Sequence, residues 1–304
     1  MIPDLRTKSG AATLSVASNT ILIALKVAAG AVTGSIAILT EAVHSAIDLV
    51  ASLIALLSVR KADEPADADH PYGHEKVEDL ASAIEGTLIL FGAFVIVFEA
   101  TRRLVNGAEV ETLGVGIAVV GFSAAANWAL SSYLYRRARA LDSPALRADA
   151  AHLRSDSLTS LGVLVGLVLI EVTGVDELDS IVALIVAVAI VVTGIRILTR
   201  SGRELVDEAP PPAELDRIEA AIAAARAPEV AGYHKLRARR AGSRRHIDLH
   251  VQFRAGTTLE RAHELAHEMR AAIEAEFPHA DVLIHVEPEG SVRPGEETEP
   301  LRHG

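Results

Sequence analysis

Apolar residues along this chain gather into six long blocks: Ala12–Val32, Ile36–Val59, Leu80–Leu104, Leu113–Tyr135, Ala150–Val172 and Leu178–Leu198. Each approaches or exceeds the roughly 20 residues that a helix needs to cross a bilayer. The third is the cleanest, with an apolar run from Gly86 to Phe98, and the second and fifth carry the most polar positions. After Arg203 the pattern changes. Asp207-Glu-Ala-Pro210-Pro-Pro forms a stiff junction, and no further block of membrane length follows. Glu214–Ala225 has Leu215, Ile218 and Ile222 at helical spacing, which predicts an amphipathic helix. Tyr233–Arg240 and Arg245–Phe253 read as strands joined at Ala241-Gly242-Ser243. In the second, Ile247, Leu249, Val251 and Phe253 alternate with His246, Asp248, His250 and Gln252. A helix over Leu259–Phe277 and a strand over Asp281–Glu287 complete the pattern. The fold expected is an α-helical membrane protein. Six transmembrane helices span residues 1–206, an α+β ferredoxin-like domain spans 207–290, and an acidic tail, 291–304, is disordered.

Loop charge sets the orientation. Arg6 and Lys8, then Arg60, Lys61 and Lys76, then Arg136, Arg137, Arg139 and Arg147, then Arg200 and Arg203 fall on one side. The opposite loops carry Glu109, Glu111, Asp176, Glu177 and Asp179, with Arg102 and Arg103 as exceptions. The positive-inside rule then places both termini and the C-terminal domain in the cytoplasm, with the helices in the cell (inner) membrane. Within the fifth block, Gly162 and Gly166 make a small-x-x-x-small pattern suited to close helix packing.

Composition narrows the function. Half of the 304 residues are hydrophobic and the mean hydropathy is +0.31, high for a soluble protein. A net charge of −11 argues against nucleic acid as a partner. The absence of cysteine excludes disulfides and thiolate ligands. The first apolar block follows Arg6, Lys8 and Ser9 without a convincing cleavage site, and reads as a retained helix rather than a signal peptide.

Two stretches repeat each other at a spacing of 108 residues: Glu41-Ala-Val-His44-Ser-Ala-Ile-Asp48 and Asp149-Ala-Ala-His152-Leu-Arg-Ser-Asp156. On a helix, positions i and i+4 share a face, so each stretch points an imidazole and a carboxylate the same way. Ionisable groups inside apolar blocks are expensive and mark function. Two facing His-Asp pairs supply two nitrogen and two oxygen donors, a tetrahedral site for a divalent metal such as zinc. The duplication favours a metal over two merely hydrogen-bonded clusters. Glu41 and Asp149, one turn earlier, are accessory candidates as ligands, proton carriers or helix-boundary charges.

Two further clusters stand out. In Asp63-Glu-Pro-Ala-Asp67-Ala-Asp69-His70-Pro-Tyr-Gly-His74, Pro71 and Gly73 favour a turn that brings His70 and His74 together, with Asp67 or Asp69 as a third ligand. The C-terminal region holds His234, His246, His250, His263, His267, His279 and His285. His285 and Glu287 share one face of a strand and His250 lies on another strand, so a second metal-binding region is expected there, within one subunit or between subunits. His246 and His279 read as bystanders. A competing motif, His263-Glu264-Leu-Ala-His267, matches the zincin pattern of two ligands and a general base. It lacks the extended third-ligand continuation, and a domain of about 80 residues leaves little room for a protease cleft.

Together these features resemble the cation diffusion facilitator family of metal transporters, from about Leu14 to Glu287. The resemblance implies a transport site of His44, Asp48, His152 and Asp156 and a loop site of Asp67, His70 and His74, with Asp69 accessory. It also implies a cytoplasmic metal-binding and dimerisation domain that uses His234, His250, His263, His285 and Glu287. The function expected is a secondary transporter, not an enzyme: a homodimer exporting Zn²⁺ from the cytoplasm in exchange for protons. Imidazole with carboxylate suits Zn²⁺ better than Mg²⁺ or Ca²⁺. Fe²⁺, Mn²⁺, Co²⁺ and Cd²⁺ are the alternative cargoes. The rival classes are a membrane metalloprotease built on His263, Glu264 and His267, and a metal sensor that binds without transporting.

Overall fold

The computed structural model describes residues 4–33, 36–106, 114–175, 177–225 and 227–291. It divides into two compact units, Met1–Gly202 and Arg203–Gly304. Six long helices lead: α1 (Lys8–Thr33), α2 (Ile36–Ala62), α3 (Lys76–Asn106), α4 (Gly114–Ala140), α5 (Pro144–Thr173) and α6 (Glu177–Leu205). Among the described residues, four stretches are long and apolar enough to cross a membrane: Lys8–Val32, Lys76–Val105, Pro144–Ile170 and Glu177–Leu205. The side chains of several residues near the starts of α2 and α4 lie outside the description.

Helices α1, α3 and α5 start four or more residues earlier than the apolar blocks predict, because their first turns are polar. Glu78 and Asp79 occupy the first turn of α3, where negative charge offsets the helix dipole. Ser143 caps α5, its hydroxyl accepting the Leu146 N–H at 3.3 Å, and Pro144 opens the helix with its φ already set. Gly174 ends α5 at φ 70°, a left-handed conformation that a side chain would strain.

In the bundle, α1 lies along α2 and α4 along α5, while α5 also packs against α2 and α3. Small residues let α6 approach its neighbours. A Cβ on Gly194 would sit 2.8 Å from Leu90 Cγ of α3, and one on Gly162 would sit 3.0 Å from Val186 Cγ2. The same holds for Gly166 against Asp179, so the Gly162/Gly166 pattern packs as its spacing predicts. Ile21, Leu25, Phe91, Phe94, Phe98, Ile185 and Val188 face outward, while Asn19, Asp48, Ser52, Glu85 and Asp149 are buried. Apolar surface outside and polar groups inside is the arrangement a lipid solvent favours.

The second unit contains α7 (Pro212–Ala224), β1 (Val230–Ala241), β2 (Arg244–Phe253), α8 (Leu259–Glu276) and β3 (Ala280–Pro288). The sheet order is β1-β2-β3. The β1–β2 hairpin is antiparallel and turns at Gly242, φ 55°. β2 and β3 are parallel, which requires a crossover, and α8 supplies it. Ile218 and Ile222 of α7 and Leu265, Met269 and Ile273 of α8 pack on Ile247, Leu249, Val251 and Val282 of the sheet. This is the α+β domain that the alternating pattern anticipates.

Candidate metal centres

The first centre sits inside the helical unit. Asp48 projects from α2, and His152 and Asp156 project from one face of α5, four residues apart. Their ligand atoms lie within 4.8 Å of one another. His152 Nε2 is 3.4 Å from Asp48 Oδ1 and 3.9 Å from Asp156 Oδ2. Asp48 and His152 are buried at 5% and 7% exposure. Two carboxylates and an imidazole held at these separations suit a divalent cation, whose ligand bonds of about 2.0–2.2 Å would draw them together. The side chains of His44 and Glu41, in α2, lie outside the described residues.

Asp149, one turn before His152, does something different. Its Oδ1 accepts the Ser52 hydroxyl at 3.1 Å, and it stays outside the three-residue cluster. Ser52 is one turn beyond Asp48 on α2. It also takes a hydrogen bond from Asn19 Nδ2 at 2.7 Å and lies 3.1 Å from the Ser15 hydroxyl. A layer of buried polar side chains from α1, α2 and α5 thus adjoins the centre. On its other side, Lys26 of α1 donates to Ser45 Oγ at 2.6 Å, next to His44 in sequence.

The second centre is in the α2–α3 loop. Asp67 Oδ1 lies 3.2 Å from His70 Nδ1 and Asp67 Oδ2 lies 3.2 Å from His74 Nε2, with the two rings 4.5 Å apart. Backbone amides organise the carboxylate: His70 N donates to it at 2.7 Å and Asp69 N at 3.0 Å. The His70 amide chiefly holds the Asp67 carboxyl below the usual range, against the opposing effect of desolvation and with help from the His70 ring. A carboxylate kept ionised beside two imidazoles is ready to bind a cation. Of the two aspartates, the cluster contains Asp67, while Asp69 contributes its backbone N–H. Gly73, at φ 92°, makes the turn, where a Cβ would strike the Glu75 carboxylate.

Strand register builds the third centre. His234 of β1 pairs with His250 of β2, which pairs with His285 of β3, so three imidazoles form a row across the sheet. Ring centroids are 5.1 Å apart for His234–His250 and 4.6 Å for His250–His285. Glu287 closes the cluster, 2.5 Å from His234 Nε2 and 3.3 Å from His250 Nδ1, and it accepts from Gln252 Nε2 at 3.3 Å. Burial opposes its charge, but the bonds from His234, His250 and Gln252 outweigh that and hold its carboxyl below the usual range. His234, His250 and Glu287 form the three-ligand set, with His285 at its edge.

Other sequence candidates fall elsewhere. His263 lies on the exposed side of α8, its ring 4.5 Å from that of His267, apart from the strand cluster within this chain. Glu264, the general base a zincin would need, is paired with Arg261 at 3.1 Å. His246 is buried against Asp281 at 3.3 Å. Burial and then the Arg239 guanidinium hold it below the ordinary histidine range, which fits a neutral bystander. Sequence reasoning passed over Asn19, Lys26, Glu85 and Gln252. Each is a polar residue in an apolar or alternating run, and that was the signal available.

Comparison with known proteins finds matches over most of the chain. Residues 12–206 match the cation efflux transmembrane domain, and residues 210–289 match the cation efflux protein cytoplasmic domain. An uncharacterised transporter of Synechocystis sp. is 35% identical, over 91% of this chain and 89% of that protein. The cation-efflux pump FieF of Serratia proteamaculans is 34% identical over 93% of each. The metal-bound C-terminal domain of the CzcD transporter from Thermotoga maritima is 32% identical, with a TM-score of 0.25, over 28% of this chain and all of that one. The chain belongs to the cation diffusion facilitator family: it is a multi-pass membrane transporter of divalent metal cations, not an enzyme.

Proposed function

We propose that this protein exports Zn²⁺ from the cytoplasm across the inner membrane, each ion exchanged against protons moving inward. The observation that carries the proposal is the convergence of Asp48 with His152 and Asp156, from two different helices, at a buried point among apolar spans. His44 completes the set by the sequence repeat. Mixed imidazole and carboxylate donors in a four-coordinate set favour Zn²⁺ over cations that need six or more oxygens. Imidazole binds metal only when neutral, so protons and metal compete for the same groups. Protons entering from outside displace the ion, and the protonated, empty site returns inward.

All six helices of residues 1–206 cross the membrane, with both termini cytoplasmic. Three helices per half turn the second half upside down relative to the first, as inverted-repeat transporters require. Asp67, His70 and His74 form a loop metal site on the cytoplasmic side. Residues 207–290 form a cytoplasmic domain that dimerises and binds metal through His234, His250, His285 and Glu287, with His263 as a ligand available to a partner subunit.

Crystals of the full-length protein grown with Zn²⁺ test the assignment through anomalous diffraction at the zinc edge. A peak about 2.0–2.2 Å from donor atoms of Asp48, His152 and Asp156 is expected. Peaks at the loop and strand clusters with none between α2 and α5 would contradict it.

A further inference from the structure

Arginine inside a membrane helix is costly, and such a residue normally pairs with an acid or reaches the headgroup level. Arg154 stands between His152 and Asp156 in sequence, but residues two apart on a helix do not share a face, and Arg154 leaves α5 on the side of α4. There its Nε donates to Ser131 Oγ at 3.1 Å and its Nη2 to Ser132 Oγ at 2.7 Å. Its guanidinium carbon lies 3.8 Å from the centre of the Trp128 ring and 5.7 Å from that of Tyr135. Both hydroxyls donate in turn to backbone carbonyls, Ser131 to Ala150 and Ser132 to Trp128. The guanidinium is thus fixed in one orientation by neutral acceptors and ring faces, none of which carries negative charge.

A second arginine meets it at Ser132. Arg136, one turn further along α4 and exposed, donates through Nε to the Ser132 carbonyl at 3.2 Å. Among the described residues, neither Arg154 nor Arg136 has a carboxylate within ion-pair distance. Other arginines of the bundle do: Arg147 has Asp142 at 3.6 Å, and Arg102 and Arg103 share Glu99 at 3.0 Å. Two cations therefore converge on one residue, each with N–H groups left over, where the protein supplies no anion. The place opens outward, since Arg154 is only half-buried and Trp128 is 44% exposed. Side chains lean toward the N-terminus of their helix, which carries Arg154 toward the end of α5 where Arg136, Arg137, Arg139 and Arg147 gather. Long basic side chains and tryptophan rings meet the headgroups at such a level.

We propose that Arg154 and Arg136 clasp the phosphate of an acidic phospholipid, with the exposed Trp128 ring against its glycerol and upper acyl chain. Guanidinium N–H groups match phosphate oxygens in pairs, and basic pockets between membrane helices are where anionic headgroups settle. The headgroup bridges α4 to α5, the helix that carries His152 and Asp156, and braces that side of the bundle from outside. Assignment to the cytoplasmic leaflet rests on the topology proposed above, whereas retention of the lipid in micelles is read without it.

Native mass spectrometry of full-length protein, released from micelles doped with phosphatidylglycerol or phosphatidylcholine, counts the lipids retained. Wild type is compared with Arg136→Gln, Arg154→Gln and the double variant, and with Arg102→Gln as a control at a paired arginine. Thermal unfolding in the same micelles reads the brace. Wild type is expected to retain phosphatidylglycerol in preference to phosphatidylcholine and to melt higher in its presence. Each guanidinium removed should weaken retention about fivefold, and both together about thirtyfold, with Arg102→Gln behaving as wild type. Arg136 is exposed, so Arg136→Gln keeps the test alive even where Arg154→Gln fails to fold. Unchanged retention in Arg136→Gln and the double variant, or equal retention of the two lipids, would overturn the proposal. Inorganic phosphate that raised the melting temperature as much as phosphatidylglycerol would reassign the site to a soluble anion. Loss of dimers with lipid retention intact in the variants would reassign this face to a second copy of the chain.

Discussion

Asp156→Asn separates a metal ligand from a structural hydrogen-bond partner. Amide and carboxylate have the same shape, so the α5 helix and its packing are preserved, but one anionic donor is lost. Asp156 stands 3.9 Å from His152 Nε2, the looser of the two carboxylates around that ring, with Asp48 at 3.4 Å. If a zinc site of four donors contributes about 10–16 kcal/mol, each donor accounts for about 3 kcal/mol, or roughly a hundredfold in affinity. The assay is equilibrium Zn²⁺ binding to full-length protein in which His70→Ala and His234→Ala disable the loop and strand clusters, so that one site is read. A loss near a hundredfold is expected, with thermal stability of the metal-free protein nearly unchanged. Affinity within a fewfold of the parent would refute the ligand assignment. A fall in metal-free stability that accounted for the loss would recast Asp156 as a structural residue.

Other consequences follow from particular contacts. Glu287→Ala removes the carboxylate shared by His234 and His250, so metal analysis should find fewer ions per chain while transport through Asp48 continues; unchanged stoichiometry would speak against that cluster. Glu214, buried beside Arg240 and Arg245, should cost about 3–5 kcal/mol when changed to Gln, because two guanidiniums lose their counter-charge. Burial opposes the Glu214 charge, yet the bonds from Arg240 and Arg245 outweigh it and hold its folded pKa below the unfolded one. Its stabilisation is therefore complete above the unfolded value and disappears as pH falls through the folded value. Unfolding curves of wild type and Glu214→Gln should converge in acid, and a gap that persisted there would exclude this ion pair as the cause. Gly194→Leu should push α6 away from Leu90 and lower the melting temperature, whereas a neutral result would mean that the α3–α6 contact has slack.

Local periodicity made much of this architecture legible. The i, i+4 spacing of His152 and Asp156 is a property of one helix, and the repeat of that spacing pointed to α2 and α5 as partners before any contact between them was known. The C-terminal elements emerged nearly to the residue because alternation at Ile247, Leu249 and Val251 and the turn at Gly242 are also local signals. The strand cluster was only half readable. His285 and Glu287 share a face by spacing, but the row from His234 through His250 depends on register, and a bulge between His234 and Arg237 shifts it. His263 could not be placed from sequence, because which face of α8 meets the sheet depends on Leu265, Met269 and Ile273 claiming the core. Glu85 was the least legible. A single acid at the edge of an apolar run looks like a boundary charge until α5 and α6 close over it.

Metal flux into proteoliposomes under an imposed pH gradient tests the central claim most directly, with Zn²⁺, Fe²⁺, Mn²⁺, Co²⁺ and Cd²⁺ compared in wild type and Asp156→Ala. Zn²⁺ uptake that follows the gradient, reverses with it and disappears in the variant is the predicted result. Uptake indifferent to the gradient or to Asp156, from protein that is folded and inserted, would contradict it.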